Sequence, residues 1–177
     1  MNVKLILKYK LNYVYNSLMS DICFSTDSSW FRYRTGAIIL KDGKMLFVKS
    51  KISDYYYMIG GAVNFGETSV NCIEREVLEE TGIIAKVDRL AVVVENFFKG
   101  YGGKIEGLNC HTIEFYFLMK IQDDSNLFSK TDDGEELIYI PIEEIKTSYI
   151  KPNFITSHIA EIINSKKIIH IIEESDR

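Results

Sequence analysis

The 24 residues from Gly60 to Ile83, GGAVNFGETSVNCIEREVLEETGI, constrain this chain more than any other stretch. Four glutamates, Glu74, Glu76, Glu79 and Glu80, fall within seven residues. Thr68 or Ser69 is suited to N-cap a helix, neither Pro nor Gly interrupts Val70 to Thr81, and Gly82 stands where a left-handed C-cap is expected. One helix is therefore predicted. At about 100° per residue, Val70, Ile73 and Val77 form its apolar stripe and Glu76 and Glu80 run along the edge of that stripe. Glu79 lies one step further round, and Glu74 points toward solvent. Three carboxylates within about 5 Å of one another repel by about 3 kcal/mol per pair at an effective dielectric near 20, a cost that a divalent cation removes. Carboxylate oxygens suit the hard cations Mg²⁺ and Mn²⁺, which commonly bind substrate phosphate as well. Gly60 and Gly61 permit close backbone approach, so a main-chain carbonyl can join the ligands and a phosphate can come near. The plainer reading of the same residues is a solvated acidic helix behind a Gly-Gly turn.

The spacing runs Gly61, five residues, Glu67, seven residues, then Arg75-Glu76-Val77-Leu78-Glu79-Glu80-Thr81-Gly82-Ile83. It resembles the Nudix box, GX5EX7REUXEEXGU with U a bulky aliphatic residue, at every specified position. The resemblance implies that Glu76, Glu79 and Glu80 are metal ligands, with the Gly60 carbonyl as another, for Mg²⁺ or Mn²⁺. It also implies catalytic roles for Glu67, which helps hold or water-bridge the metal, for Glu79, and for Arg75, which fixes the glutamates by ion pairing. Ile59 stands where the family often has a proline. The implied fold class is α/β: a Nudix-type α/β/α sandwich with a central mixed sheet, the box helix on one face and the C-terminal helix on the other. The implied activity is hydrolysis of a nucleoside diphosphate linked to another moiety, X, with water attacking phosphorus and a glutamate accepting its proton. The box says nothing about X, which leaves nucleoside triphosphates, ADP-ribose and other nucleotide sugars, and dinucleoside polyphosphates open. A module that senses a nucleotide or ADP-ribose without cleaving it, or a partner-binding protein, would be expected to lose a box glutamate, and none is lost.

The rest of the chain reads as one domain. Its 177 residues, 46% hydrophobic and 26% charged, are enough to bury a core but too few for two typical domains. A net charge of −4 argues against a broad nucleic-acid footprint. Cys23, Cys72 and Cys110 lack CxxC spacing, which fits a reducing cytoplasm better than a disulfide framework or zinc site. No apolar run is long enough to predict a membrane span. Family resemblance favours a homodimer with a small-molecule substrate.

Residues 1 to 20 form an extension whose alternation, Val3, Leu5, Leu7, Tyr9 against Lys4, Lys8 and Lys10, predicts a strand with a basic outer face, followed by the main domain from residue 21 to 177. Within that domain strands are expected over residues 21 to 24, 31 to 40 and 44 to 49, with a Lys41-Asp42-Gly43 turn. Further strands are expected over 86 to 98, 110 to 121 and 168 to 172, and a helix over 153 to 165. Tyr55, Tyr56 and Tyr57 precede the glycines, and alternation buries one or two of them while leaving another at the cleft. Tyr57 is the substrate contact expected there. Tyr101 is a second, in the glycine-rich connection from 99 to 109 and 18 residues past Ile83, near where dinucleoside polyphosphate hydrolases carry a tyrosine. His111 reads as a structural ring, with Glu114 on the opposite strand face. The acidic segment from 122 to 136 ends in Glu135-Glu136, resembling the family segment in which an acid precedes a strand and short helix. One of that pair is expected as extra ligand or general base, and Glu136 is the residue assigned to it.

Overall fold

Asp42 and Gly43 take left-handed φ values of 49° and 72°, the type I′ turn that an Asp-Gly pair forms between twisted antiparallel strands. They join the second and third of nine strands in the computed structural model, which describes residues 20–175. The extension at the N-terminus thus lies outside the described residues apart from Ser20. The strands are β1 Cys23–Ser25, β2 Ser29–Lys41, β3 Lys44–Lys49, β4 Tyr56–Tyr57, β5 Ile84–Lys99, β6 Asn109–Asp123, β7 Glu136–Pro141, β8 Ile150–Lys151 and β9 Ile169–Ser175. The α-helices are α1 Ser69–Thr81, α2 Ile142–Ile145 and α3 Phe154–Asn164. The two-residue strands β4 and β8 carry too little alternation to be read from sequence.

The strand order is β8-β4-β3-β2-β6-β5-β9, with β1 added to β2 and β7 to β3. β2 runs parallel to β6 and β5 parallel to β9, whereas β5 and β6 are antiparallel, so the sheet is mixed as expected. β2 and β3 pair only next to their turn, at Leu40–Met45 and Lys41–Lys44, and then part. The segment after β4 fills the opening. Ala37 N–H donates to the Ile59 carbonyl and Thr35 N–H to the Gly61 carbonyl, both at 2.9 Å, which lays the Gly-Gly turn along β2.

Period-two alternation divides the apolar residues between two layers. Ala37, Ile39, Leu46, Val48 and Phe117 face α1 and meet Ile59, Ile73 and Val77. Ile38, Met45, Phe47, Val92 and Tyr116 face the other way and meet Phe154, Ile155, Ile159 and Ile162 of α3. Each sheet face thus has its own helix, and removing these side chains from water is the main favourable term for the fold.

Helix α1 begins and ends where its caps predict. Thr68 Oγ1 accepts the Asn71 N–H at 3.1 Å, and Gly82, at φ 74°, donates its N–H to the Leu78 carbonyl. Two details differ from the helical-wheel reading. Val70 is exposed, and Cys72 takes the buried place instead, its thiol 3.2 Å from Thr35 Oγ1 of β2 and 3.3 Å from the Ala62 carbonyl. Glu74 does not point freely to solvent: its carboxylate accepts the Val87 N–H at 3.1 Å and pairs with Lys86, tying α1 to the start of β5. Among the described residues no helix is long and apolar enough to cross a membrane. Cys23, Cys72 and Cys110 are all free.

Candidate active site

Three of the box glutamates converge on one guanidinium. Arg75 Nε and Nη2 form a two-point contact with the Glu67 carboxylate at 2.9 and 3.0 Å, and Nη1 reaches Glu76 at 2.6 Å and Glu79 at 3.0 Å. Glu67 comes from the turn before α1 and the other three residues from successive turns of the helix, so the cluster depends on the N-cap geometry that aims residues 64–68 back at the helix. Burial works against ionising Glu67, yet the Arg75 guanidinium and the Asn64 N–H hold its carboxyl below the usual range. For Glu79 burial prevails and its carboxyl is shifted upward. Arg75 thus pairs with Glu67, Glu76 and Glu79 and lies among these three carboxylates. Among the described residues no three carboxylates enclose a common point.

The Gly-Gly turn supplies the opposite wall. A Cβ on Gly61 would stand 2.3 Å from Glu76 Oε1, so this carboxylate lies against bare backbone. Gly60 has φ 143°, and a Cβ there would strike the Thr35 carbonyl at 2.1 Å. The carbonyls on either side, of Ile59 and Gly61, are taken up by β2, whereas that of Gly60 turns to Arg34 Nη2 at 3.4 Å. Ile59, in place of a proline, is fully buried and anchors the turn through the core beneath α1. Glu80 lies beside Gly60, and burial together with the adjacent Glu76 charge pushes its carboxyl up to about 8, with the Gly60 amide offsetting part of the effect. Arg34 opposes that shift with its positive charge, more than the Gly60 amide does. Glu76, Glu79, Glu80 and the Gly60 carbonyl are all oxygen donors, the kind a hard divalent cation takes.

Arg34 is a residue that the sequence reading missed. Its Nη1 donates to Tyr116 Oη at 3.1 Å and lies 3.6 Å from Glu114, and its Nη2 donates to the carbonyls of Met58 and Gly60. Glu114 is buried and accepts Thr112 Oγ1 at 2.6 Å, Asn96 Nδ2 at 3.2 Å and the Tyr116 hydroxyl. A clue existed in the strands themselves: Arg34 in β2 shares the strand phase of the apolar Ile38, and Glu114 in β6 that of Tyr116 and Leu118.

On the far side of Glu80, the segment before β7 brings in a further acid. Leu137 and Tyr139 pack toward α1 while Ile138 and Ile140 pack toward α3, so the alternation puts Glu135 on the α1 side and Glu136 on the other. Strand phase thus turns Glu135 toward the box helix, whereas Glu136, the acid expected there, is exposed on the other side. Glu135 accepts the Tyr57 hydroxyl and the Lys51 N–H. Burial and this carboxylate both raise the Tyr57 phenol, and Glu80 adds to the shift.

Tyr101 is elsewhere. It is 90% exposed in the β5–β6 connection, at the end of the sheet where Ser29 stands opposite Asn109. Arg34 is five residues further along β2, about 17 Å at 3.3 Å per residue. That connection is also less open than its glycines suggest, because Gly100 exchanges hydrogen bonds with Leu108 and Gly107 around one turn of 3₁₀ helix, Gly103–Ile105. His111 stacks on Phe97 at 4.3 Å and meets the edge of Phe31, bordering a cavity of about 620 Å³ at that same end. It faces away from Glu114 and works as a packed ring.

A family model described as NUDIX domain matches residues 30–158. Among curated relatives, a MutT-like protein of Streptomyces ambofaciens is 34% identical over 65 residues, covering 37% of this chain and 42% of that protein. An ADP-ribose pyrophosphatase of Methanocaldococcus jannaschii is 33% identical over 87 residues, covering 48% of this chain and 47% of that protein. The chain thus spans less than half the length of these curated relatives. Among solved structures, a NUDIX hydrolase from Nitrosomonas europaea superposes with a TM-score of 0.62 at 18% identity, covering 85% of this chain and 82% of the other. A UDP-X diphosphatase superposes with a TM-score of 0.59 at 19% identity, covering 93% and 74%. At these identities the structural likeness speaks for the fold alone.

Proposed function

Because this chain belongs to the Nudix family, we propose that it is a divalent-metal-dependent hydrolase that cleaves the pyrophosphate bond of a nucleoside diphosphate linked to another moiety. The observation that carries the reading is the complete set of box glutamates, three of them held by Arg75, beside a Gly-Gly turn whose Gly60 carbonyl is left outside the sheet pairing. A sensing module would have no need of all of them.

Each residue has a task in that chemistry. Glu76, Glu79, Glu80 and the Gly60 carbonyl would hold Mg²⁺ or Mn²⁺, and when bound the cation neutralises charge on the diphosphate oxygens. Arg75 keeps Glu67, Glu76 and Glu79 in fixed rotamers, so little reorganisation is needed when substrate arrives. Arg34, anchored by Glu114 and Tyr116, directs positive charge at the turn over which the diphosphate passes. Glu135, oriented by Tyr57, is the general base that accepts the proton of the attacking water. Water attacks one phosphorus, the bridging oxygen leaves with the other, and no covalent enzyme intermediate is required.

ADP-ribose and other nucleotide sugars are the first substrates to consider, in view of the M. jannaschii relative. Family resemblance supports a homodimer, and three unpaired cysteines support a reducing compartment such as the cytoplasm. The test is product release from ADP-ribose, nucleotide sugars, nucleoside triphosphates and dinucleoside polyphosphates with Mg²⁺ or Mn²⁺, beside Glu80→Gln and EDTA controls. Turnover of one class that is lost in both controls is expected. Tight nucleotide binding with no turnover of any class would transfer the assignment to a sensing module.

A further inference from the structure

The sheet face that presents Glu135 continues to the edge strand. β4 and β8 are parallel, with Tyr56 opposite Ile150 and Tyr57 opposite Lys151. Tyr56 and Ile150 pack into the α3 layer. By alternation Tyr55, Tyr57, Tyr149 and Lys151 all lie on the other side, the side of Glu135 and α1. A row of groups results, leading from Glu80 through Glu135 and Tyr57 to Tyr55, Lys151 and Tyr149.

The outer end of the row is unlike the rest of the cleft. The rings of Tyr55 and Tyr57 are 6.3 Å apart, and those of Tyr55 and Tyr149 are 6.0 Å apart at 69°. Lys151 Nζ stands 5.1 Å from the Tyr55 ring centroid and 5.7 Å from that of Tyr149. Tyr149 is 58% exposed, and Lys151 is exposed too. Among the described residues Lys151 has no carboxylate partner, although the chain carries a net charge of −4. Core packing does not require an open tyrosine ring beside a half-buried one with an ammonium held against both. Their combination matches a ligand with a flat aromatic surface and a negative charge close to it.

We propose that Tyr55, Tyr149 and Lys151 form the subsite for the nucleoside end of the substrate, the base stacking on the tyrosine rings and Lys151 meeting phosphate charge on the same ligand. The subsite rests on the hydrolase reading for its role in turnover, while its capacity to bind a nucleoside 5′-phosphate stands apart from catalysis. It puts recognition of the base on the β4–β8 edge, one residue row beyond Tyr57, and leaves the cleaved bond to the glutamates.

The test uses the full chain, with AMP and ribose 5-phosphate as paired probes in calorimetric titrations without metal. Wild type is expected to bind AMP at least tenfold more tightly than ribose 5-phosphate. Tyr149→Ala should abolish that difference, Tyr149→Phe should keep it, and Lys151→Met should weaken both probes about equally. Thermal melts of each variant check that folding is retained. With whichever substrate is turned over, Tyr149→Ala should raise KM about tenfold with a much smaller change in kcat. The subsite is overturned if AMP binds no better than ribose 5-phosphate, if neither binds, or if Tyr149→Ala keeps the preference for AMP. Absence of turnover alongside the expected AMP pattern would remove the hydrolase reading and leave the subsite in place. Normal turnover with an unaltered KM in Tyr149→Ala would do the reverse.

Discussion

Replacing Arg75 by methionine keeps the length of the side chain and removes the charge around which the box is built. Arg75 makes four contacts of 2.6 to 3.0 Å to Glu67, Glu76 and Glu79, whose side chains are 11%, 15% and 32% exposed. Removing one partner of a buried ion pair typically costs about 3–5 kcal/mol because the other charge is left uncompensated. Glu79 is a third exposed and is screened by solvent, so the lower end, about 3 kcal/mol, is expected here. For a chain of this size that corresponds to a fall of about 6–12 °C in Tm. The loss should depend on metal. A cation held by the same carboxylates supplies the missing positive charge, and at one hundred times its Kd it stabilises the folded state by about 2.7 kcal/mol. Melts of wild type and Arg75→Met in EDTA and in saturating Mg²⁺ or Mn²⁺ measure both effects. The metal-induced rise in Tm should be larger in the variant. A variant that melts within about 2 °C of wild type in EDTA, or one that gains no more from metal than wild type does, would refute the shared-carboxylate argument.

The remaining expectations concern single residues. Glu135→Gln should lower kcat by about 10²-fold or more, the usual contribution of a positioned general base, whereas Glu136→Gln should stay within about twofold; equal effects would refute the strand-phase assignment. Gly61→Ala inserts a methyl where the Glu76 carboxylate lies, 2.3 Å from Oε1, and should cost about 10²-fold in kcat/KM with the fold retained by circular dichroism. Arg34→Met leaves Glu114 buried without its cation and should lower stability by about 3 kcal/mol in urea melts, a loss that Arg34→Met combined with Glu114→Gln partly restores. Cys72 is buried, and its thiol is pushed up to about 12. The unfolded chain ionises the same thiol near 8.5, so above that pH it binds fewer protons than the folded chain and stability falls by up to about 1.4 kcal/mol per pH unit. Urea melts at pH 8 and 10 should therefore show wild type losing about 2 kcal/mol more than Cys72→Ala, and parallel losses would refute the shift.

Much of this protein is set by rules that act within a few residues. The span of α1 follows from Thr68, an uninterrupted run and Gly82, each of which acts on the backbone next to it. The turn at Asp42-Gly43 and the alternation in β2, β3, β5 and β6 are equally local, and the box spacing on one helix brings Arg75 to Glu76 and Glu79 without help from the rest of the chain. What the chain alone left open is which faces meet. The choice between Glu135 and Glu136 depends on the register of β7 against β3, which lies about ninety residues earlier and pairs Lys49 with Glu136. The partnership of Arg34 with Glu114 needs β2 and β6 to lie parallel in one register across 79 intervening residues. Tyr101 follows the box closely in sequence, yet β5 carries it along the full length of a 16-residue strand, away from the glutamates. The grouping of Tyr55 with Tyr149 and Lys151 exists only because two short strands, neither stable alone, are paired through the edge of the sheet. Capping, turn chemistry and side-chain phase are fixed by neighbours in sequence, whereas register and strand order are fixed by which buried surfaces fit, and that is a property of the assembled core.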